Sequence, residues 1–423
     1  MALKLEDYRA DALSCPRCSN CKWVDHIYIQ SYRFAKICPI STRYGFNAYS
    51  AHGILDLALA LMSGQLDYTP GLLDVIYKCT LCGACDSRCK RNLDIEVLSV
   101  IEALRTRCVE DGGGPLPEHK VTAENIKKTH NRYGAPHGNR LKWLPKETKS
   151  AEKADIVYFV GCNSSYPHPE IAQATVKILV AAGSQFMTMS PDEWCCGNPL
   201  YSVGQADLAE ELARRNIEAL EKSGASTLLT SCAECYKTWK VDYPKLLGKS
   251  TRDMGFRVIH ITEYAAELLK SGALKFDKPV EMKVTYHDPC HLGRLSEPWI
   301  HWEGVRKKYG VLDPPKEWRR GTNGVYEPPR EILSRIPGIE LVEMERRREN
   351  AWCCGAGGEV KTAFNDFALW TAGERLEEAK ATGAEAIVSA CPYCRENLAE
   401  AAQIGKERVK IYDITEVMAQ ALG

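Results

Sequence analysis

The sequence carries the segment WCCGNP at residues 194–199 and the segment WCCGAG at residues 352–357. Similar residues flank the two segments in the same order. The further matches pair ADIVYFVGC (154–162) with MKVTYHDPC (282–290), ASTLLTSCAEC (225–235) with AEAIVSACPYC (384–394), and VIHITEYAAELL (258–269) with KIYDITEVMAQAL (410–422). Such self-similarity predicts that one structural unit occurs twice in the C-terminal two thirds of the chain.

The two copies differ in length because the second copy contains an insert. Cys162 and Cys290 are 128 residues apart, whereas Cys195 and Cys353 are 158 residues apart. The insert is placed most easily in the stretch 296–330, which is rich in proline, tryptophan and arginine. The predicted domains are therefore residues 154–275 and, with the insert, residues 280–423.

Each copy has the pattern of a small parallel α/β domain. Short apolar runs rich in β-branched residues, typical of buried parallel strands, lie at 156–160, 227–229 and 386–388. Amphipathic stretches that predict helices lie at 206–223 and 367–382. The cysteines follow the strands, at the carboxyl edge where open α/β sheets bind their ligands. Cysteines far apart in the sequence can therefore meet there.

The N-terminal part carries two cysteine runs of ferredoxin type. The first is Cys15-x2-Cys18-x2-Cys21, followed after sixteen residues by Cys38 and a proline, and the second is Cys79-x2-Cys82-x2-Cys85-x3-Cys89. This spacing wraps three thiolates around one face of a [4Fe–4S] cube. Gly83 lets the backbone of the second run pass close to the sulfides. The long gap before Cys38 is interpreted as an insertion, since the Cys-Pro ending is kept.

In two-cluster ferredoxins the fourth cysteine of each run binds the cluster of the other run. We therefore predict one cube on set A and a second cube on set B. Set A consists of Cys15, Cys18, Cys21 and Cys89, and set B consists of Cys38, Cys79, Cys82 and Cys85. A zinc ribbon is the alternative for paired CxxC motifs, but triple-cysteine runs with a fourth ligand fit zinc badly.

Ten further cysteines belong to the repeat, five in each copy. Set C consists of Cys162, Cys195, Cys196, Cys232 and Cys235, and set D consists of Cys290, Cys353, Cys354, Cys391 and Cys394. Adjacent cysteines cannot easily bind two corners of one cube, because neighbouring side chains diverge. They can bind neighbouring irons of a more open cluster. The glycines behind the pairs, at 197, 355, 357 and 358, let amide groups point at sulfur. A phosphate loop is the alternative for CCGAGG, but the lysine and the dinucleotide spacing are missing.

Cys108 is the remaining cysteine, and it lies on the apolar face of a predicted helix, where a buried structural thiol is expected. Helical patterns occupy 48–62 and 94–108, without convincing strands, and they define an N-terminal domain over residues 1–110. The stretch 111–153 is rich in glycine, proline and histidine and is expected to be a linker that wraps around the domains.

The composition of the chain argues against several classes of protein. The chain has 423 residues, 55 basic and 55 acidic side chains and 19 cysteines. The charge balance argues against a nucleic-acid-binding protein. The polar N-terminus and the shortness of the most apolar segment, residues 54–62, give neither a signal peptide nor a membrane span. A cytoplasmic chain, which a partner could hold at a membrane, is expected, with its thiols binding metal.

Several other residues near the cysteines have two interpretations. His168 and His291 could donate protons to a substrate thiolate or a hydrogen bond to a sulfide, with a loop histidine as the default. Trp194 and Trp352 are predicted lids over the clusters, with core packing as the alternative. The run ERRRE at 345–349 and the pair Arg319–Arg320 have a solvated face as the default and a docking or anion-binding patch as the alternative.

The pattern Cys, Cys-Cys-Gly, Cys-x2-Cys, present twice, resembles the CCG (cysteine-rich) domain family. Two such domains behind a two-cluster ferredoxin module resemble the D subunit of heterodisulfide reductase and its relatives in anaerobic redox complexes, including the electron-transfer subunit of class II, tungsten-dependent benzoyl-CoA reductase. The segment YGAPHG at 133–138, with Arg140 and Trp143, also resembles this family. The resemblance implies an α-helical ferredoxin-like module followed by two α/β CCG domains.

The resemblance also implies cofactors and partners. Sets C and D would each hold a noncubane [4Fe–4S] cluster and would be the catalytic cysteines, able to cleave or form a disulfide between them. Because no flavin, NAD or haem signature occurs, electrons would come from a flavoprotein, a ferredoxin-like protein, a cytochrome or an acyl-CoA reductase subunit. The alternatives are a pure electron conduit and a cluster- or zinc-stabilised scaffold without redox function.

Overall fold

The computed structural model describes residues 4–91, 93–145 and 151–423. Its N-terminal part is helical, and short 3₁₀ turns connect the helices in this region. Its helices are α1 (Arg9–Leu13), α2 (Pro39–Tyr44), α3 (Ala51–Met62), α4 (Pro70–Tyr77), α5 (Ala84–Cys89) and α6 (Val97–Glu110).

The two helices predicted in this part are present, with shifted ends. Helix α3 starts at Ala51 rather than at residue 48 because the hydroxyl of Ser50 accepts a hydrogen bond from the Gly53 amide and caps the helix. Helix α6 runs two residues beyond Cys108 and packs against α3. Cys108 is fully buried, as expected of a structural thiol, and burial raises its pKa to about 12.

The repeat corresponds to two four-stranded sheets in which every pair of neighbouring strands is parallel. The first sheet has the order β2-β1-β3-β4 and the second has the equivalent order β8-β5-β9-β10. The strands of the first are β1 (Ile156–Tyr158), β2 (Met187–Thr188), β3 (Thr227–Thr230) and β4 (Arg257–His260). Those of the second are β5 (Met282–His287), β8 (Ile339–Val342), β9 (Ala386–Ser389) and β10 (Lys410–Asp413).

Helices cover the sheets. Helix α11 (Ala206–Ser223) has the predicted bounds, whereas α17 (Asn365–Ala381) begins two residues earlier than predicted. The helices of the first copy are α8 (Gly161–Ser165), α9 (Pro169–Ala181), α10 (Asn198–Ser202), α11 (Ala206–Ser223), α12 (Ala233–Lys237), α13 (Tyr243–Leu247) and α14 (Ile261–Ser271). Those of the second are α15 (Glu327–Arg335), α16 (Val360–Ala363), α17 (Asn365–Ala381), α18 (Pro392–Ile404) and α19 (Ile414–Ala421).

The three parts share their cores. One hydrophobic cluster continues from the first sheet domain into the second, where α9 packs on α19 and α14 packs on α15. A second cluster joins the N-terminal helices to Val203 of the first sheet domain and to Leu295, Val360 and Phe367 of the second. Burial of apolar side chains across these boundaries fixes the cysteine-bearing loops relative to one another.

The stretch predicted as a linker contains a helix that the sequence pattern did not reveal, α7 (Pro117–Thr129). Its buried face has few apolar residues, Ala123 and Ile126, which explains why periodicity missed it. Arg132, just behind α7, pairs with Glu359 of the second sheet domain at 2.9 Å, and Cys195 donates its amide to the His130 carbonyl. Residues 146–150 of this stretch lie outside the described residues.

The insert of the second copy packs against the other parts. It contains a short antiparallel hairpin of β6 (Val305–Arg306) and β7 (Leu312–Asp313). Its Lys316 forms an ion pair with Glu96, and Arg306 lies 3.8 Å from Asp11. Within the described part of the chain, no helix combines the length and the hydropathy needed to cross a bilayer.

Candidate iron–sulfur sites

The four thiols of set A surround one cavity of about 260 Å³. The N-terminal run supplies three of them, and the end of helix α5 brings in Cys89, as the crossed pattern predicts. Cys18 is the exposed member of this set, and Nδ1 of His52 lies 4.0 Å from the sulfur of Cys21. A ring of thiols around an empty volume is a donor set suited to an iron–sulfur cluster.

Set B is more deeply buried than set A. Cys38 precedes Pro39 at the start of α2, and positive φ angles at Leu81 and Gly83 bend the second run around its thiols. Burial raises the pKa of Cys38 and Cys85, and the other set B thiols raise it further, because the sulfurs lie close together. A side chain at Gly83 would collide with Leu295, so the glycine permits close docking of the second sheet domain.

Set C assembles at the carboxyl edge of the first sheet. Its cysteines lie in α8 behind β1, in the loop behind β2, and at the start of α12 behind β3. Their sulfurs contact one another in the order Cys162, Cys195, Cys196, Cys235, Cys232. The amide of Gly197 lies beside the sulfur of Cys195 and acts to lower its pKa, in line with the prediction for the glycine behind the pair.

Set D repeats this arrangement in the second sheet domain. Its sulfurs contact one another in the order Cys290, Cys353, Cys354, Cys394, Cys391. The amide of Gly355 lies 3.3 Å from the sulfur of Cys353. His287, at the end of β5, lies with Cys354 and Cys394 in a group whose ligand atoms are all within 4.8 Å of one another. Sequence reasoning missed His287, because the matching position in the first copy is Phe159.

Contacts between sets connect the four groups of thiols. Cys232 of set C and Cys391 of set D are neighbours, and Cys232 is the first cause lowering the pKa of Cys391. The neighbouring thiol of Cys353 in set D lowers the pKa of Cys82 of set B to about 5. Cys21 of set A is near enough to set B to raise the pKa of Cys85, after burial and the set B thiols. The four sets therefore form one row in the order A, B, D, C.

The two tryptophans before the cysteine pairs have different environments. Trp194 is half-buried, stacks on His130 with ring centroids 3.7 Å apart, and packs on the cluster of side chains that contains Cys195. Trp352 is 1 % exposed and donates its indole N–H to the Thr371 carbonyl, which makes it a core residue. The lid interpretation therefore fits Trp194, whereas ordinary packing describes Trp352.

Two buried positions beside set C carry opposite charges. Arg140, from the segment singled out in the sequence, and Glu193 are both fully buried and 2.6 Å apart. Glu193 also accepts the amides of Val160 and Gly161, so it holds the loop that presents Cys162. Sequence reasoning did not identify Glu193, since its partners lie more than thirty residues upstream.

The two histidines near cysteines lie in loops, as the default interpretation expects. His291 is buried, and burial followed by the charge of Lys237 lowers its pKa to about 4. His168 lies 3.2 Å from Arg395 of the second sheet domain and 3.4 Å from Glu170. Each of these loop histidines therefore packs at a junction between parts.

The charged run at 345–349 is a solvated face only in part, because Arg347 and Arg348 are exposed whereas Arg346 is buried. Arg346 is 2 % exposed and pairs with Glu378 at 3.0 Å, while Glu345 accepts the amides of Gln30 and Ser31. Glu345 thus ties the run to the N-terminal part, and Arg346 ties it to α17 of its own domain. Arg319 of the insert donates a hydrogen bond to the Glu297 carbonyl, and its guanidinium packs on the ring of Trp299. The guanidinium of Arg320 packs on the ring of Trp318.

Comparison with family models agrees with this division of the chain. A 4Fe-4S dicluster domain matches residues 11–93, which contain all of sets A and B. A cysteine-rich domain matches residues 156–240, which contain set C, and residues 317–399, which contain set D except Cys290. Cys290 precedes the insert, which separates it from the matched region.

Three proteins illustrate the similarity over most of the chain. The D subunit of dihydromethanophenazine:CoB–CoM heterodisulfide reductase from Methanosarcina barkeri is 36 % identical over 420 residues, which cover 97 % of this chain and 94 % of the relative. The B subunit of fumarate reductase (CoM/CoB) from Methanothermobacter marburgensis is 31 % identical over 83 % of this chain and 62 % of its own length. An EtfAB:quinone oxidoreductase from Syntrophomonas wolfei is 27 % identical over 82 % of this chain and 47 % of its own.

Proposed function

The chain belongs to the family of the heterodisulfide reductase D subunit, and from that premise we propose that it carries electrons along four iron–sulfur clusters within a multi-subunit redox complex. It is an iron–sulfur protein of an oxidoreductase family, with a dicluster module and two CCG domains. In the proposal, sets A and B each hold a cubane [4Fe–4S] cluster, and sets C and D each hold a noncubane one. The bound clusters would supply one-electron carriers.

The observation that carries the proposal is the unbroken row of thiols. Set A includes the exposed Cys18, set B contacts set D through Cys82 and Cys353, and set D contacts set C through Cys391 and Cys232. Electrons from a partner would therefore arrive at the exposed end and move inward. The chain's own part is to hold the sulfurs, exclude water and direct amide groups such as those of Gly197 and Gly355 at them.

We propose further that the paired sets C and D act on a disulfide. Two five-cysteine sites in direct contact could together take up the two sulfurs of one substrate. Reduction of a disulfide consumes two electrons and two protons and breaks the S–S bond to give two thiols. The imidazoles near these sites are the buried His287, which lies with Cys354 and Cys394, the buried His291 and the junction residue His168, and the proposal assigns proton delivery to this group.

A pure conduit is the second candidate, and burial favours it. Nine of the ten cysteines in sets C and D are buried, and Cys290 is partly exposed. A substrate would need an open path from the surface to these sulfurs. Electron transfer to a buried cluster needs no such path. In the conduit, the acceptor is the catalytic subunit of a partner, such as a flavoprotein, a cytochrome or an acyl-CoA reductase.

The experiment that separates the two candidates adds disulfides to the anaerobically purified, reduced protein. Two new thiols per disulfide, together with a new paramagnetic signal on oxidation, are expected if sets C and D are catalytic. The control variant is Cys391→Ser, which removes one sulfur of the C–D contact. Absence of thiol release and of a new signal with a panel of symmetric and mixed disulfides would contradict catalysis and support the conduit.

A further inference from the structure

Two buried arginines lie on either side of the cysteine run that supplies set B. Arg105, on α6, is fully buried, and Arg294 is 5 % exposed. The guanidinium of Arg294 donates to the carbonyl of Cys82 at 2.7 Å and to those of Glu349 and Ala351 at 2.9 and 2.7 Å. The guanidinium of Arg105 donates to the carbonyls of Ile76 (2.9 Å), Tyr77 (3.1 Å), Cys79 (2.6 Å), Ser202 (2.7 Å) and Gly358 (2.9 Å).

These arginines differ from the other buried arginines in their partners. Arg140 pairs with Glu193, Arg330 with Asp288 and Arg346 with Glu378. Among the described residues, by contrast, the hydrogen-bond acceptors of Arg105 and Arg294 are backbone carbonyls. A carbonyl satisfies an N–H group but leaves the positive charge uncompensated.

A buried cation without a counter-charge is strongly unfavourable. Cysteines are the first of the groups that oppose this cost at both guanidiniums. Burial lowers the pKa of Arg105, and the largest opposing influence comes from Cys79, with Glu102 a smaller one. For Arg294 the first opposing groups are Cys82, Cys290 and Cys353, which raise its pKa against the effect of burial. The cysteine site beside the two arginines is therefore their largest shared source of counter-charge.

We propose that Arg105 and Arg294 are positioning residues that compensate the negative charge of the cluster on set B and raise its reduction potential. This inference rests on the proposed function, since it needs a cluster at set B. One-electron reduction of such a site adds one negative charge and neither forms nor breaks a bond. A fixed positive charge beside it therefore favours the reduced form.

Set A has charged neighbours of its own. Arg17, beside Cys18, is exposed and paired with Asp56. Arg88 lines the set A cavity, is fully buried and lies 3.4 Å from Asp25, and its guanidinium nitrogens form no hydrogen bond to any residue that the structure describes. Because Arg105 and Arg294 donate to carbonyls of the run that supplies set B, their substitution is expected to act on set B rather than on set A.

A purely structural role is the competing explanation, because Arg105 joins three parts of the molecule through its five carbonyls. Substitution by lysine and by glutamine separates the two roles. Lysine keeps the charge and loses the planar fork, whereas glutamine loses the charge. If the charge sets the potential, the two substitutions give different potentials, and if only the hydrogen bonds matter they give similar ones.

The experiment is a redox titration of the full-length, cluster-loaded protein with dithionite and mediators, followed by electron paramagnetic resonance. Iron is counted first, and the set B signal is assigned by its change in Cys38→Ser. Arg105→Gln and Arg294→Gln are expected to change the oxidised-to-reduced ratio at set B at least tenfold at fixed potential, which is 59 mV for one electron, towards more negative potentials. Arg105→Lys and Arg294→Lys should change it less than tenfold, and set A should stay unchanged throughout.

The control is Arg107→Gln, on the same helix but partly exposed and paired with Glu6 and Asp111, and no shift is expected. An unchanged set B potential in both iron-replete glutamine variants would overturn the inference, as would equal shifts in the lysine and glutamine variants. If a glutamine variant fails to hold its clusters, the lysine variant at the same position decides. A tenfold change in its oxidised-to-reduced ratio at set B would then overturn the inference. A wild-type protein without a set B signal would instead refute the proposed function.

Discussion

At the residue scale, the cysteine spacing predicted which thiols come together, and the structure adds the partners that spacing cannot reveal. The C-x2-C-x2-C run and the Cys-Cys-Gly pair are local patterns, so sets A to D could be written down from the sequence. His287, Glu193, Arg105 and Arg294 could not, because each reaches a cysteine loop from an element distant in sequence.

Cys353 is the residue on which the contact between sets B and D depends. Replacement by serine removes a sulfur that touches Cys82, Cys290 and Cys354. We expect Cys353→Ser to lose one noncubane cluster, which is a loss of about four irons per chain, while the signals of sets A and B remain. Iron analysis and electron paramagnetic resonance measure both effects.

The matched control is Cys108→Ser, the same substitution at a buried thiol outside the four sets. It should lower the melting temperature, because it buries a hydroxyl, and leave the iron content unchanged. Loss of iron in Cys108→Ser comparable to that in Cys353→Ser would mean that the assay reports unfolding rather than loss of a ligand.

At the element scale, the internal repeat predicted the architecture well, because a repeated pattern of strand, cysteine and helix constrains topology. The two sheets share one strand order, and α11 has its predicted bounds. Helix α7 and the contacts of the charged run at 345–349 were missed. Their stability comes from other domains, and a local pattern contains no information about a partner far along the chain.

Gly358 links two elements at the boundary between sets B and D. It has φ +64°, and a Cβ there would lie 2.8 Å from the Cys79 carbonyl oxygen. Gly358→Ala should lower the melting temperature and slow electron transfer from set B to set D, since the two loops must separate. The measurement is a thermal scan together with rapid reduction monitored by absorbance.

Gly383→Ala is the control, because this glycine also has a positive φ, +72°, but open space around its Cβ position. Both variants carry the backbone cost of about 1–2 kcal/mol for a left-handed non-glycine residue. Equal melting temperatures and equal electron-transfer rates in the two variants would contradict close packing at Gly358.

Helix α19 gives a prediction about pH. The Asp413 carboxyl caps the helix by accepting the amide of Thr415, and burial raises its pKa to about 8. The unfolded chain has already released this proton at pH 6, whereas the folded chain holds it. Stability therefore falls as the pH rises from 6 to 8. Asp413→Asn, which imitates the protonated acid, should reduce this fall in melting temperature, and a pH dependence identical to the wild type would contradict the assignment.

At the scale of the whole molecule, the proposed electron transfer depends on the order of the four sets, A, B, D, C. This order arises because the N-terminal helices dock on both sheet domains and because the two sheet domains bring their carboxyl edges together. Sequence reasoning predicted a relay from cubes to CCG sites, but it did not predict that set B meets set D rather than set C. The docking of whole domains decides that point.

The central claim is that all four sets hold clusters, and counting iron tests it most directly. The full chain is purified without oxygen together with whatever partner it carries, and iron and acid-labile sulfide are measured against the amount of this chain, with the partner's content subtracted. Four clusters of four irons predict about sixteen irons per chain. A value of about eight, with the signals of sets A and B intact, would contradict clusters on sets C and D.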